Sequence, residues 1–238
     1  YMTYFTGSYD GNTYSIKNIE IHSSNTVVGL FGSIIGAQVQ NIILYSDRGN
    51  HIQRNENALE SWYALGGMCG LAAVGLNNKV EDAKIVNCTV SGYTIQDNSK
   101  KCSYGGVNVG GMFGISTLDL EKCTAVNNIV LNMQLQRGFS IRVGGLAGSM
   151  RGNVNECYTG GEISCTEKNQ QYLKKSGVFL CLGGISGGIF IKNDGNLVKL
   201  LGYIKGVTVY RKDVDNSNNE KECGTATTSI CNCYTYIK

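Results

Sequence analysis

The sequence predicts an all-β fold, a right-handed parallel β-helix (solenoid) of about five or more coils. Three observations predict it: a glycine motif that recurs five times, short apolar stretches between its copies, and no proline among 238 residues that include 32 glycines. Strands stacked inside such a coil donate N–H groups to their neighbours, and proline has none to give.

The glycine motif comes first. It reads Val28-Gly29-Leu30-Phe31-Gly32, Gly66-Gly67-Met68-Cys69-Gly70, Gly110-Gly111-Met112-Phe113-Gly114, Gly144-Gly145-Leu146-Ala147-Gly148 and Gly183-Gly184-Ile185-Ser186-Gly187. The last glycines stand at 32, 70, 114, 148 and 187, so the repeats step by 38, 44, 34 and 39 residues. The middle position, Leu30, Met68, Met112, Leu146 and Ile185, is always large and apolar, whereas the next, Phe31, Cys69, Phe113, Ala147 and Ser186, varies. Neighbours on a strand point to opposite faces. The uniform position is therefore expected to line a core, and the mixed one to face outward or a second contact. The flanking glycines leave room for bulk from elsewhere or permit a tight corner.

A second strand follows: Val39 to Leu44, then stretches centred on Asn87-Cys88, Lys122-Cys123, Glu156-Cys157 and Asn232-Cys233. Asn41, Cys123 and Cys157 each lie nine residues past the last glycine of their motif. A third apolar stretch follows some copies, as at Tyr93-Thr94-Ile95 and Ile129-Val130-Leu131. Three short strands per repeat, with Asn and Gly at corners that need left-handed backbone, describe a chain that coils once per repeat. Successive turns then stack at about 4.8 Å. Leu30, Met68, Met112, Leu146 and Ile185 become one ladder, and Cys88, Cys123 and Cys157 another. A β-propeller also suits a period of about 40 residues. Its Trp-Asp signature is missing, and Trp62 is the only tryptophan. The chain reads as one β-helix domain, 1–238, a fragment of a larger protein flanked by other domains. It divides into a lead-in coil (1–27), the glycine-motif repeats (28–187) and divergent C-terminal coils (188–238).

Composition narrows the function classes. Apolar residues at 42% and charged residues at 16% exclude disorder. A net charge of +3 is too weak to argue for nucleic acid. No run of 18 apolar residues suggests membrane insertion, and the most apolar stretch, 178–191, is broken by four glycines. The opening Tyr1-Met2-Thr3-Tyr4 lacks the features of a signal peptide, which is expected to lie outside this segment. Ten cysteines contain no Cys-x-x-Cys, and His22 and His51 sit at no ligand spacing from them, so no metal and no cofactor is expected. Free cysteine behaves as a small buried hydrophobe. Most thiols are expected to be reduced, with Cys102, Cys165 and Cys223 the better disulfide candidates. Cys231 and Cys233 are expected on one face of one strand.

The motif Gly-Gly-(Leu/Met)-x-Gly, followed by the Cys-bearing strand, resembles the GLUG repeat of bacterial surface adhesins and of the non-catalytic part of immunoglobulin-A metallopeptidases. The opening stretch from Phe5 to Ile19 is similar to the segment that often precedes such repeats. The likeness covers roughly residues 5–165, and the fifth copy departs from it, with Gly188 after Gly187 and no Cys strand nine residues on. The resemblance implies a secreted, surface-attached setting and no chemistry.

Catalysis needs convergent groups. Two distant histidines make a Ser-His-Asp arrangement hard to assemble, His-Glu-x-x-His is absent, and the close acid pairs, Glu81-Asp82 and Asp213 with Asp215, lie in polar turns. The repeats differ in length chiefly at 45–64, 96–108, 132–142 and 165–180. These insertions share a register, so they are expected on one edge, which in solenoids is often the binding face. The first is richest in recognition residues: Arg48, His51, Arg54, Trp62 and Tyr63 form the expected ligand-binding set, although Trp62 and Tyr63 could instead cap the core. The expected function is a non-catalytic, adhesin-like extracellular or cell-surface module that binds a host protein or glycan. The alternatives are a carbohydrate-active β-helix enzyme and the repeat region of a secreted metallopeptidase.

Overall fold

The computed structural model describes residues 4–55, 62–74, 83–102, 105–135, 139–166, 179–189, 230–231 and 233–237. Among them every regular element is a strand, every strand pairing is parallel, and no helix is long and apolar enough to cross a membrane.

The first sheet sets Ser8–Asp10, Gln38–Gln40, Lys84–Val86, Asp119–Glu121, Val154–Asn155 and Ile230–Cys231 side by side in that order. The second and largest runs Ser15–Lys17, Ile43–Tyr45, Thr89–Asp97, Thr124–Leu131, Tyr158–Cys165 and Tyr234–Ile237. Ile21–Ser23 and His51–Arg54 join the second sheet alongside the far half of Thr89–Asp97. The third holds Val27–Val28, Trp62–Gly66, Gly105–Gly110, Phe139–Gly144 and Phe179–Gly183. The fourth holds Ser33–Ile35, Cys69–Ala73, Phe113–Ser116, Ala147–Met150 and Ser186–Ile189. A two-stranded pair, Lys100–Cys102 with Gln134–Leu135, lies apart. The chain visits the four sheets in the same cyclic order along its length.

In-register pairing stacks like positions. Met68 N–H donates to the Met112 carbonyl, and Met112 N–H and Leu146 N–H donate in turn to the Leu146 and Ile185 carbonyls. Met68, Met112 and Leu146 are fully buried, while Leu30 and Ile185, toward the two ends, are partly buried against the same core. The mixed position does not face outward. Cys69, Phe113 and Ala147 are buried as deeply as their neighbours, because the third and fourth sheets cover one another. A Cβ on Gly148 would lie 2.5 Å from Val109 N, so backbone meets backbone there. Ordinary sheets are held about 10 Å apart by their side chains. Between these two layers, Ser149 Oγ donates to Asn108 Oδ1 at 2.6 Å, and both residues are buried.

A corner joins the first sheet to the second. Asn41, Asn87, Lys122 and Glu156 occupy it in successive strands, with φ of 55°, 52°, 54° and 53°. Asn tolerates this left-handed region, and Asn87 Nδ2 donates to Asn41 Oδ1 at 2.8 Å, which in turn presents Nδ2 to Asp10. Lys and Glu are held there at a cost of about 1–2 kcal/mol each. Lys122→Asn is therefore expected to stabilise the fold by about 0.5–1 kcal/mol, read as a higher urea midpoint; an unchanged or lower midpoint contradicts it.

The residue after this corner is Cys88, Cys123, Cys157 and Cys233, and Ile42 in the first copy. The nine-residue spacing placed Asn41 level with Cys123. The pairing sets Ile42 there instead, because the first copy spends one extra residue at Gly36, a left-handed corner with φ 61°. Cys88, Cys123 and Cys157 each reach two carbonyls: Cys123 Sγ donates to Glu121 O at 3.4 Å and Ile85 O at 3.7 Å, Cys88 does the same with Val86 and Val39, and Cys157 with Asn155 and Leu120. The column is thus a run of hydrogen-bonded thiols that tie each corner to the strand beside it. Cys69, Cys88, Cys123, Cys157, Cys165, Cys181 and Cys233 are free thiols. Cys165, expected as a disulfide candidate, is among them. The side chains of Cys102 and Cys231 and all of Cys223 lie outside the described residues. Cys231 and Cys233 do not share a strand, since Ile230–Cys231 belongs to the first sheet and Tyr234–Ile237 to the second.

Burial pushes the Cys88 thiol up to about 11, and contact with Cys157, together with burial, holds Cys123 well above the ordinary thiol range. A thiol whose folded pKa is raised keeps its proton after the unfolded chain has lost it. Stability is therefore expected to fall as pH climbs from the ordinary thiol value of 9.0 toward 11. At pH 8, alkylation of the native protein should reach exposed Cys181 and spare Cys69, Cys88, Cys123 and Cys157. Peptide mapping that finds the column modified without denaturant would contradict this.

Candidate functional site

The outer face of the second sheet carries half-buried and exposed polar groups in register across its strands. Alternation along Thr89–Asp97 and Thr124–Leu131 sends Val90, Ile95, Ala125 and Ile129 inward. Thr89, Ser91, Thr94 and Gln96, and Thr124, Val126, Asn128 and Val130, then face out. Register stacks them in columns: Ile43, Thr89, Thr124 and Tyr158; then Tyr45, Ser91 and Val126; then His51, Thr94, Asn128 and Glu162; then Gln53, Gln96, Val130 and Ser164. The two central strands present no ionisable side chain on this face. Tyr45 and Tyr158 flank them, 38% and 40% exposed.

An amide row closes one margin. Gln96 Nε2 and Asn132 Nδ2 both donate to Asn98 Oδ1, at 2.8 and 2.9 Å, and Thr166 Oγ1 donates to Asn132 Oδ1 at 3.2 Å. At the N-terminal margin the His22 ring and the backbone N–H of His51 meet one carboxylate. His22 Nε2 lies 3.0 Å from Glu20 Oε2, Asn50 Nδ2 donates to Glu20 Oε1 at 2.8 Å, and the His51 N–H donates to Oε2 at 3.3 Å. Gln53 Nε2 lies 2.8 Å from His22 Nδ1. The hydrogen bonds from His22 and Asn50 hold the Glu20 carboxyl below the usual glutamate range. Such a carboxylate is occupied by its neighbours and is a poor proton donor.

The expected ligand-binding set is only partly at the surface. Arg48 is exposed on the Ser46–Asn50 turn beside Asp47, at 3.7 Å, and His51 is half-buried. Arg54 and Tyr63 are not surface residues: both are fully buried. Arg54 occupies an inward position of its strand, its guanidinium 3.8 Å from the centroid of the Tyr63 ring. Its Nε donates to Asn25 O and its Nη1 to Ser99 Oγ, and Ser99 N–H donates to Asp97 Oδ1. A loop-rich stretch of sequence does not distinguish an inward arginine from an outward one; the two-residue alternation with Ile52 does. Trp62 is half-buried, its ring lying over Gly106 on the adjacent strand. Of the four insertions, residues 56–61, 103–104, 136–138 and 167–178 lie outside the described residues.

Among the described residues no group of three or more His, Cys, Asp or Glu side chains could hold a metal ion. Comparison with protein families, with curated proteins and with solved structures finds no match.

Proposed function

We propose that this chain is a non-catalytic binding module of an extracellular or cell-surface protein, wound as a right-handed parallel β-helix of the GLUG-repeat kind. The cyclic path through four parallel sheets supports the winding. One observation supports the binding role: a broad, ordered sheet face whose central strands offer stacked hydroxyl and amide groups and no ionisable side chain. Hydrolysis at a glycosidic bond canonically uses two carboxyl groups placed about 5–10 Å apart around it. The acids at the margins of this face lie far apart: Glu20 precedes Ile21–Ser23 and Glu162 stands on Tyr158–Cys165, with His51–Arg54 and the two central strands between them, and Glu20 is already engaged. The ligand is a host protein or a glycan. A glycan array and matrix-protein coats, run beside a chain-shortening assay on polysaccharides, test the reading. Retention of a ligand with no loss of polymer length is expected, and turnover of any polymer overturns it.

A further inference from the structure

Resting on that reading, we infer that the ligand is an uncharged polysaccharide that lies across the strands of the second sheet, from Tyr45 to Tyr158. Three features of the face fit such a chain.

The first is charge. The outward groups of Thr89–Asp97 and Thr124–Leu131 are threonine, serine, asparagine, glutamine and valine, so neither a sulfate nor a uronate would meet a counter-charge there. The ionisable groups stand at the margins: Lys17 in register beside Tyr45, Arg48 on the turn that follows, His51 beside Thr94, and Glu162 beside Asn128. Over the two central strands an anionic polymer would lose hydration and gain no ion pair in return.

The second is spacing. Tyr45 and Tyr158 stand on strands separated by two others, three strand steps of about 4.8 Å, or roughly 15 Å. That suits an extended oligosaccharide with a ring stacked at each end and hydroxyls over Thr89, Ser91 and Thr124 between. Aromatic rings present area to the apolar face of a sugar at low entropic cost.

The third is rigidity. Tyr45 is held from beneath, since Tyr93 Oη, on an inward side chain, donates to the Tyr45 carbonyl at 3.1 Å. Gln96, Asn98 and Asn132 hold one another in fixed orientation. Groups that need not be ordered on binding lose less entropy to it.

Affinity electrophoresis of the whole chain through gels carrying dextran, galactomannan or xyloglucan, beside dextran sulfate and polygalacturonate, tests the inference. Retardation is expected in at least one neutral gel, unchanged in high salt. Tyr158→Ala should weaken it about tenfold, and Thr124→Lys, which places a charge at the centre of the face, should do the same, each with an unaltered far-UV circular dichroism spectrum. Should one variant fail to fold, the other reads the same face. Retardation confined to the charged polymers and lost in salt overturns the inference and leaves a binding module standing. Passage through every neutral gel without delay overturns it whatever else the chain binds. Neutral retention that both variants leave intact places the site elsewhere and overturns it too. Shortening of the polymer instead defeats the non-catalytic reading on which the inference rests.

Discussion

Replacing Asn127 with Leu is expected to destabilise the chain by about 3–5 kcal/mol. Asn127 is only 5% exposed, on an inward position where its strand passes a bulge between Ser91 and Thr94. At the bulge the backbone of Thr89–Asp97 leaves groups that no neighbouring strand can serve. Asn127 serves them: its Oδ1 accepts from Tyr93 N–H at 3.0 Å, and its Nδ2 donates to Val90 O and Gly111 O, each at 3.0 Å. Gly111 belongs to the glycine corner between the third and fourth sheets, so one side chain ties that corner to the second sheet. Leucine fills similar space and leaves three buried backbone groups without partners, each at about 1–3 kcal/mol before relaxation. Asn128→Leu is the control. It lies next in sequence, exposed on the outer face, and should move stability by no more than about 0.5 kcal/mol. Urea midpoints of the two variants decide the matter, and equal midpoints would show that the amide is not supporting the bulge.

That contrast explains what the sequence made legible. The repeat was legible because its signal is chemical and periodic: glycine at fixed offsets and a large apolar residue between. Where two copies have equal length, strand pairing follows from spacing, as with Leu120 beside Val154, each six residues past the last glycine of its motif. Asn127 and Asn128 are identical letters, and which of them turns inward depends on a bulge near Gly92, whose φ of 79° depends on the turn at Ser46 against which it packs. The same reason hid the inward turn of Arg54. Glu20, His22 and His51 were hidden differently. Their convergence requires Ile21–Ser23 to lie beside His51–Arg54, a pairing between the lead-in segment and an insertion, neither of which carries the motif. The outer face is not legible in the sequence because threonine, serine and asparagine at alternate positions look like ordinary solvated strand. Only their stacking across strands makes a surface of them.

Gly114→Ala is expected to cost about 3 kcal/mol, a large penalty for one methyl group on a residue with an ordinary backbone conformation. A Cβ there would stand 2.6 Å from Leu65 N, 2.7 Å from the Ala64 side chain and 2.7 Å from Gly70 O. Two of those three are backbone atoms locked in parallel ladders, so none can rotate away as a flexible side chain would. Relief requires parting the third and fourth sheets along their length, which would loosen the packing around Ala64 and Leu65 in one repeat and around Asn108 and Ser149 in the next. Gly32→Ala separates this from the general cost of losing a glycine. Gly32 has a left-handed φ of 65° but nothing within 4 Å of its would-be Cβ, so its penalty is conformational and should stay at about 1–2 kcal/mol. Sequence position cannot tell the two apart, since both are the last glycine of the same motif. The order of the two losses therefore tests close backbone packing directly. A Gly114→Ala variant no less stable than Gly32→Ala would mean that the two layers have room between them, and that the motif conserves turns and not contact.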